Sequence, residues 1–183
     1  EMKCSGSSPS GEAAKPIKLS LVTRSAEQRL SCGISEFDRV LGGGLVSGSM
    51  VLIGGDPGIG KSTLLLQASA HLSKSAGAVL YVSAEESAEQ IKLRSMRMAV
   101  EAEELYLLAE TNIERITAHI VAMKPSAVVI DSIQTVFTSA IESAPGSVSQ
   151  VRESAGRLMT LAKGSGVPIF LVGHVTKDGG LAG

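Results

Sequence analysis

The sequence predicts an α/β fold, a mostly parallel central sheet flanked by helices. Three observations predict it: five short apolar runs, helix-period segments between them, and a glycine-rich turn joining the first run to the first helix. Residues 50–53, 79–82, 105–108, 127–130 and 168–172 are the strand candidates. Near-continuous apolar runs of this length suit strands buried on both faces of a parallel sheet. The segments 61–75, 87–98, 112–123 and 146–164 are the helix candidates. Strand alternating with helix gives right-handed crossovers onto one sheet.

Along the chain, residues 1–16 are rich in Ser, Gly and Pro and read as a flexible tail, followed by a weakly patterned connector. We place the boundary so that 1–29 is tail or linker and 30–183 is the folded domain. Gly42, Gly43, Gly44 and Gly48 mark a turn-rich approach to the first strand. In the first long helix, Leu64, Leu65, Ala68 and Leu72 recur at three- and four-residue steps, a core-facing stripe. Of the 183 residues, 44 % are apolar and 19 % charged, so a single hydrophobic core is affordable without staples.

The turn after the first strand carries the chemistry. It reads Gly55, Asp56, Pro57, Gly58, Ile59, Gly60, Lys61, Ser62, Thr63, which satisfies the P-loop spacing Gly-x-x-x-x-Gly-Lys-Ser/Thr. Glycines let backbone N–H groups converge on phosphate oxygens with no side chain in the way. The helix opening near Lys61 adds the positive end of its dipole. Lys61 is expected to reach the β- and γ-phosphates and Ser62 to ligate magnesium, so the cofactors expected are ATP and Mg2+. Such a pattern would occur by chance in about one or two chains in a hundred of this composition, and here it sits between a strand and a helix as the mechanism requires.

A magnesium site of this kind also draws on a carboxylate at a strand end, and Asp131 closes the run 127–130. Hydrolysis needs a group to orient or deprotonate water. Glu85, with Glu86 in reserve, follows the second strand at the carboxyl end of the sheet, where open α/β folds bind ligands. These glutamates could instead be first-turn residues of the next helix. His174 ends the last strand and could sense the terminal phosphate.

Several classes are excluded. No Gly-x-Gly-x-x-Gly follows the first strand, which removes a dinucleotide site. Thr176, Lys177 and Asp178 lack the spacer of the guanine-reading tetrad, and Ser132, Ile133 and Gln134 after Asp131 include no glycine, which disfavours GTP. There is no Trp, with two Tyr and three Phe, too few for a stacking platform for single-stranded nucleic acid. The net charge of -1 restricts any nucleic-acid contact to a local patch or to the summed sites of an oligomer. Cys4 and Cys32 form no Cys-x-x-Cys pair for zinc. No apolar stretch approaches the roughly 18 residues of a membrane span, and the N-terminal segment lacks a secretory apolar run, so an intracellular soluble protein with no membrane association is expected.

Further segments carry a resemblance. Residues 33–44 precede the P-loop; 81–87, 129–135, 145–153 and 173–179 follow it, reading respectively Gly-Ile-Ser-Glu-Phe-Asp-Arg-Val-Leu-Gly-Gly-Gly, Tyr-Val-Ser-Ala-Glu-Glu-Ser, Val-Ile-Asp-Ser-Ile-Gln-Thr, Pro-Gly-Ser-Val-Ser-Gln-Val-Arg-Glu and Gly-His-Val-Thr-Lys-Asp-Gly. From about Leu30 onward the chain resembles the ATPase domain of the RadA (Sms) family of bacterial DNA-repair proteins, a RecA-like P-loop group. The resemblance implies an ATP-hydrolysing, helicase-like motor that acts on single-stranded DNA as a homo-hexameric ring and promotes branch migration in recombination. It also implies a bacterial cytoplasmic location, or an organelle in a eukaryote, and a possible recombinase partner. It assigns Lys61 and Ser62 to nucleotide and magnesium, Asp131 to magnesium and Glu85 to water activation. By similarity to RecA-like proteins, the segments after Thr135 and after His174 face DNA, with Gln150, Arg152 and Lys177 as contacts.

A different reading is a RecA-like ATPase switch of the circadian-clock type, acting on protein partners rather than on DNA. The family's four-cysteine zinc finger, Lys-Asn-Arg-Phe-Gly motif and Lon-protease-like domain are not among these residues, and Gly183 comes before the sheet of a RecA-like core would be complete, so a core incomplete at its C-terminal end is expected. Ala84 stands where the family generally has glycine, which would stiffen the turn carrying Glu85.

Overall fold

The computed structural model describes residues 16–21 and 29–174. Five parallel strands form one sheet in the order β1-β5-β4-β2-β3, with β1 at Met50–Gly55, β2 at Val79–Ser83, β3 at Leu105–Ala109, β4 at Ala127–Asp131 and β5 at Ile169–His174. The helices are α1 (Ser35–Val40), α2 (Lys61–Ala76), α3 (Ala88–Arg97), α4 (Ile113–Met123) and α5 (Val148–Ser165). Every strand and helix expected from the apolar pattern is present, with ends moved by a few residues. Most of the tail assigned to 1–29 lies outside the described residues; within it, Leu19–Leu21 form a 3-10 turn.

Alternation along each strand divides the core into two layers. Leu80, Val82, Val128, Ile130, Ile169 and Leu171 meet Ile113, Ile116 and Ile120 of α4 and Leu158 and Ala162 of α5. Val79, Tyr81, Val129, Phe170 and Val172 meet Leu65, Leu66, Ala68 and Leu72 of α2 and Ile91 of α3. Each such aliphatic side chain contributes about 1.5–3 kcal/mol when fully buried. The expectation of burial on both faces holds for the inner strands β2, β4 and β5, whereas β1 and β3 flank the described sheet and leave Leu52 at 48 % and Tyr106 at 47 % exposure. Leu64, expected in the α2 stripe, is only half-buried, because the helix turns Leu65, Leu66 and Leu72 to the sheet instead.

The helix starts have local causes. Ser87 caps α3 in a capping box with Gln90, Asn112 accepts from the Arg115 amide at α4, and Ser147 accepts from the Gln150 amide at α5. Because α3 begins only at Ala88, Glu85 and Glu86 precede it and are not first-turn residues. The short α1 was not visible in the sequence pattern. It has no side-chain cap and is held by tertiary contacts: Asp38 accepts from Ser31 Oγ at 2.6 Å and from the Cys32 amide at 2.7 Å, and Phe37 stacks on Phe170 of β5 at 5.7 Å.

Candidate functional site

In a parallel sheet all strands end at the same edge, and ligands bind outside it. The register places Gly55 of β1 opposite His174 of β5, and Ser83 of β2 opposite Asp131 of β4. Four adjacent strands therefore deliver the P-loop, His174, Asp131 and, one turn beyond β2, Glu85 to one edge.

Asp56, Pro57, Gly58, Ile59 and Gly60 form an exposed arc between β1 and α2. Gly60 takes φ +101° as it enters α2, and a side chain there would be strained, although the space above it is open. No side chain caps α2, so the first N–H groups of this sixteen-residue helix are left for something else. Ser62 and Thr63 occupy its first turn, half-buried. These features fit a phosphate group: uncapped amides, a positive helix end, and open space where a Cβ would otherwise stand.

Lys61 is 92 % buried by its relative exposure of 8 %. Its ammonium donates to the carbonyls of Gly55 at 2.7 Å and Asp56 at 2.8 Å, and lies 3.4 Å from His174 Nδ1. An ammonium has three protons and no acceptor, so Nδ1 takes the accepting role. His174 Nε2, the protonated nitrogen of that tautomer, then faces Glu85 Oε1 at 3.3 Å. Ser132 Oγ donates to the same Glu85 oxygen. Lys61, His174, Glu85 and Ser132 thus form one continuous polar chain across the strand ends.

Asp131 is 9 % exposed, and its Oδ2 accepts from the Tyr81 hydroxyl at 2.6 Å. Burial, then the neighbouring Asp131 charge, pushes the Tyr81 phenol well above its ordinary pKa, so it remains a donor. Among the described residues no group of three or more His, Cys, Asp or Glu gathers as a metal cluster. A magnesium site built from a hydroxyl, one carboxylate and substrate phosphates has no need of one.

Glu86 is placed differently. Its backbone is clasped by Ser83 Oγ and its carboxylate pairs with Arg94 of α3. The Ala84 amide donates to the Asp131 carbonyl at 2.8 Å, and Ala84 is not among the residues with positive φ, so this turn does not require the glycine expected there.

The expected nucleic-acid contacts separate. Arg152 is exposed on α5. Lys177 lies outside the described residues. Gln150 is 1 % exposed, so its assignment as a contact is corrected. Its Oε1 accepts from the Thr138 amide at 2.8 Å, and its Nε2 donates to the carbonyls of Thr138 at 3.1 Å and Ser143 at 2.8 Å. The side chain is consumed in folding the 138–143 segment back onto α5. Sequence reasoning also missed Tyr81, Ser132 and Arg94; the signal for Tyr81 is a phenol in an otherwise aliphatic buried strand, where the hydroxyl must find a partner.

With this geometry in hand, the AAA domain family matches residues 14–180. The chain belongs to the AAA domain family. This AAA domain is a P-loop ATPase domain with the RadA resemblance expected from its motifs: it is 58 % identical over 169 residues to DNA repair protein RadA of Bacillus subtilis (strain 168), covering 92 % of this chain and 37 % of that protein. It is 55 % identical over 183 residues to DNA repair protein RadA of Streptococcus pneumoniae, covering 100 % of this chain and 43 % of that protein. The chain therefore spans about two-fifths of the length of these relatives. A KaiC-like protein from Pyrococcus horikoshii OT3 shares the RecA-like fold, with a TM-score of 0.67, 22 % identity, and coverage of 81 % of this chain and 73 % of that one. No helix among the described residues is long and apolar enough to cross a membrane.

Proposed function

We propose that this AAA domain binds Mg-ATP over the P-loop, hydrolyses it with Glu85 as the water-orienting base, and drives a DNA-repair motor acting on single-stranded DNA. The observation that carries the reading is the meeting of Lys61, His174, Glu85 and Asp131 at the carboxyl edge of the sheet. The amides of residues 58–63 and the Lys61 ammonium would hold phosphate oxygens. Ser62 and Asp131 would hold magnesium, which supplies neutralisation of the charge spread over the transferred phosphoryl oxygens. To reach a phosphate, Lys61 exchanges its carbonyl partners at Gly55 and Asp56 for an anion, a favourable exchange of neutral acceptors for charged ones.

Glu85 is favoured over Glu86 as the base because the Arg94 guanidinium pairs with the Glu86 carboxylate, whereas, among the described residues, the Glu85 carboxylate meets only Ser132 and His174 and is joined through His174 to Lys61. His174 so placed would register the movement of Lys61 and pass it to Glu85. Residues 30–183 are taken as the ATPase unit, working in a ring of six copies with a recombinase partner in a bacterial cytoplasm; of this setting, the relatives named as DNA repair proteins support the repair role. Arg152 and Lys177 are retained as DNA contacts.

ATP turnover by the full-length protein, with and without single-stranded DNA at low salt, tests the reading. Stimulation by DNA is expected. Turnover indifferent to DNA would point to a switch acting on protein partners, and no turnover at all would remove the hydrolysis assignment.

A further inference from the structure

Tyr81 is the largest fully buried side chain among the described residues, yet it ends in a polar group. It stands on β2 opposite Val129 of β4, so Asp131 lies two positions further along β4, on the same face. With strands about 4.8 Å apart and a rise of about 3.3 Å per residue, such neighbours are about 8 Å apart, a gap that a tyrosine ring can span. The hydroxyl ends 2.6 Å from Asp131 Oδ2. A phenylalanine would fill this core as well, and the hydroxyl costs free energy at that depth unless bonded. Its partner is the one strand-end carboxylate that the proposed chemistry uses.

The carboxylate of Asp131 has two oxygens. One, Oδ2, accepts from Tyr81, a bond present with no ligand in place. A parallel division occurs beside it, where Ser132 engages Oε1 of Glu85. We infer that Tyr81 is a positioning residue for the magnesium site: its hydroxyl holds Oδ2 of Asp131 so that the other carboxylate oxygen is presented to the ion. The inference rests on the phosphate-site reading above. It goes beyond that reading by assigning a task to a residue that touches neither nucleotide nor metal.

Groups that orient a metal-binding side chain from behind typically cost 10–100-fold in metal affinity when removed, so Tyr81→Phe should cost about 10-fold or more. The test uses the full chain and a fluorescent ATP analogue, titrated in EDTA and across a magnesium series. The variants are Tyr81→Phe, Asp131→Asn and the double variant, with the thermal midpoint of each unliganded protein recorded. Expected are equal affinities of wild type and Tyr81→Phe in EDTA. The magnesium concentration that half-restores tight binding should rise about 10-fold or more in Tyr81→Phe, with recovery at excess magnesium. No further loss is expected when Tyr81→Phe is added to Asp131→Asn. An unchanged magnesium requirement in a folded Tyr81→Phe protein would overturn the inference, as would an equal loss in EDTA or in the Asp131→Asn background, either of which marks a packing role. A wild-type protein whose nucleotide affinity ignores magnesium would instead overturn the phosphate-site reading, and this assignment with it.

Discussion

Replacing Gln150 with Leu removes a buried amide while keeping most of its volume, and the structure sets the size of the consequence. Four hydrogen bonds of 2.8–3.4 Å disappear, leaving the amide and carbonyl of Thr138 and the carbonyls of Ile141 and Ser143 without that partner. Thr138 is 1 % exposed, so water does not readily replace the amide. A buried group left unpaired costs about 1–3 kcal/mol. With some relaxation of the segment, the variant should lose about 2–4 kcal/mol in total. For a chain of this size that is a fall of about 5–15 °C in the thermal midpoint. Circular dichroism melts and urea titrations measure both quantities. An exposed nucleic-acid contact would behave otherwise, changing stability by no more than about 0.5 kcal/mol. Unaltered stability together with weakened DNA binding would refute the clasp and restore Gln150 as a contact.

Other substitutions test neighbouring claims. Glu85→Gln should leave ATP binding nearly intact and slow turnover about 10²- to 10⁴-fold; wild-type turnover would transfer the role to another group. Leu30 and Leu45 exchange backbone hydrogen bonds of 2.9 and 2.8 Å in an antiparallel bridge, and Gly44→Ala should lower the melting midpoint clearly, because a Cβ there would stand 2.5 Å from the Leu30 carbonyl oxygen at φ +120°; an unchanged midpoint would contradict that close approach. The Thr138 hydroxyl, with the Arg157 guanidinium, holds the Glu114 carboxyl below its ordinary pKa of 4.5. A carboxylate depressed in the folded state contributes stability that is complete above the unfolded value and lost as pH falls through the folded one. Stability should therefore decline below about pH 4.5, and Thr138→Val should flatten that decline; an identical acid profile would refute the coupling.

What was legible in the sequence follows from burial. The strand candidates became β1–β5 because the inner strands are covered on both faces, so their composition alone separates them from the helices. The P-loop was legible because its glycines and Lys61 are contiguous. The α1 helix was not, since six residues with Ile34 at the cap carry no periodic signal and owe their order to Asp38 and Phe37. Gln150 was misassigned for a related reason: in sequence it is a polar residue in the first turn of α5, and only the return of the 138–143 segment buries it. In sequence Tyr81 is one member of the apolar run 79–82, and its polar end acquires meaning only when β4 is placed beside β2.

The central claim is that the turn between β1 and α2 holds the phosphates of ATP. A crystal structure of the protein with Mg-ADP addresses it most directly. The claim requires the diphosphate on the amides of residues 58–63, with Lys61 turned from the Gly55 and Asp56 carbonyls to a phosphate oxygen and the ion beside Ser62 and Asp131. A nucleotide bound at another surface, with Lys61 still on those carbonyls, would contradict it.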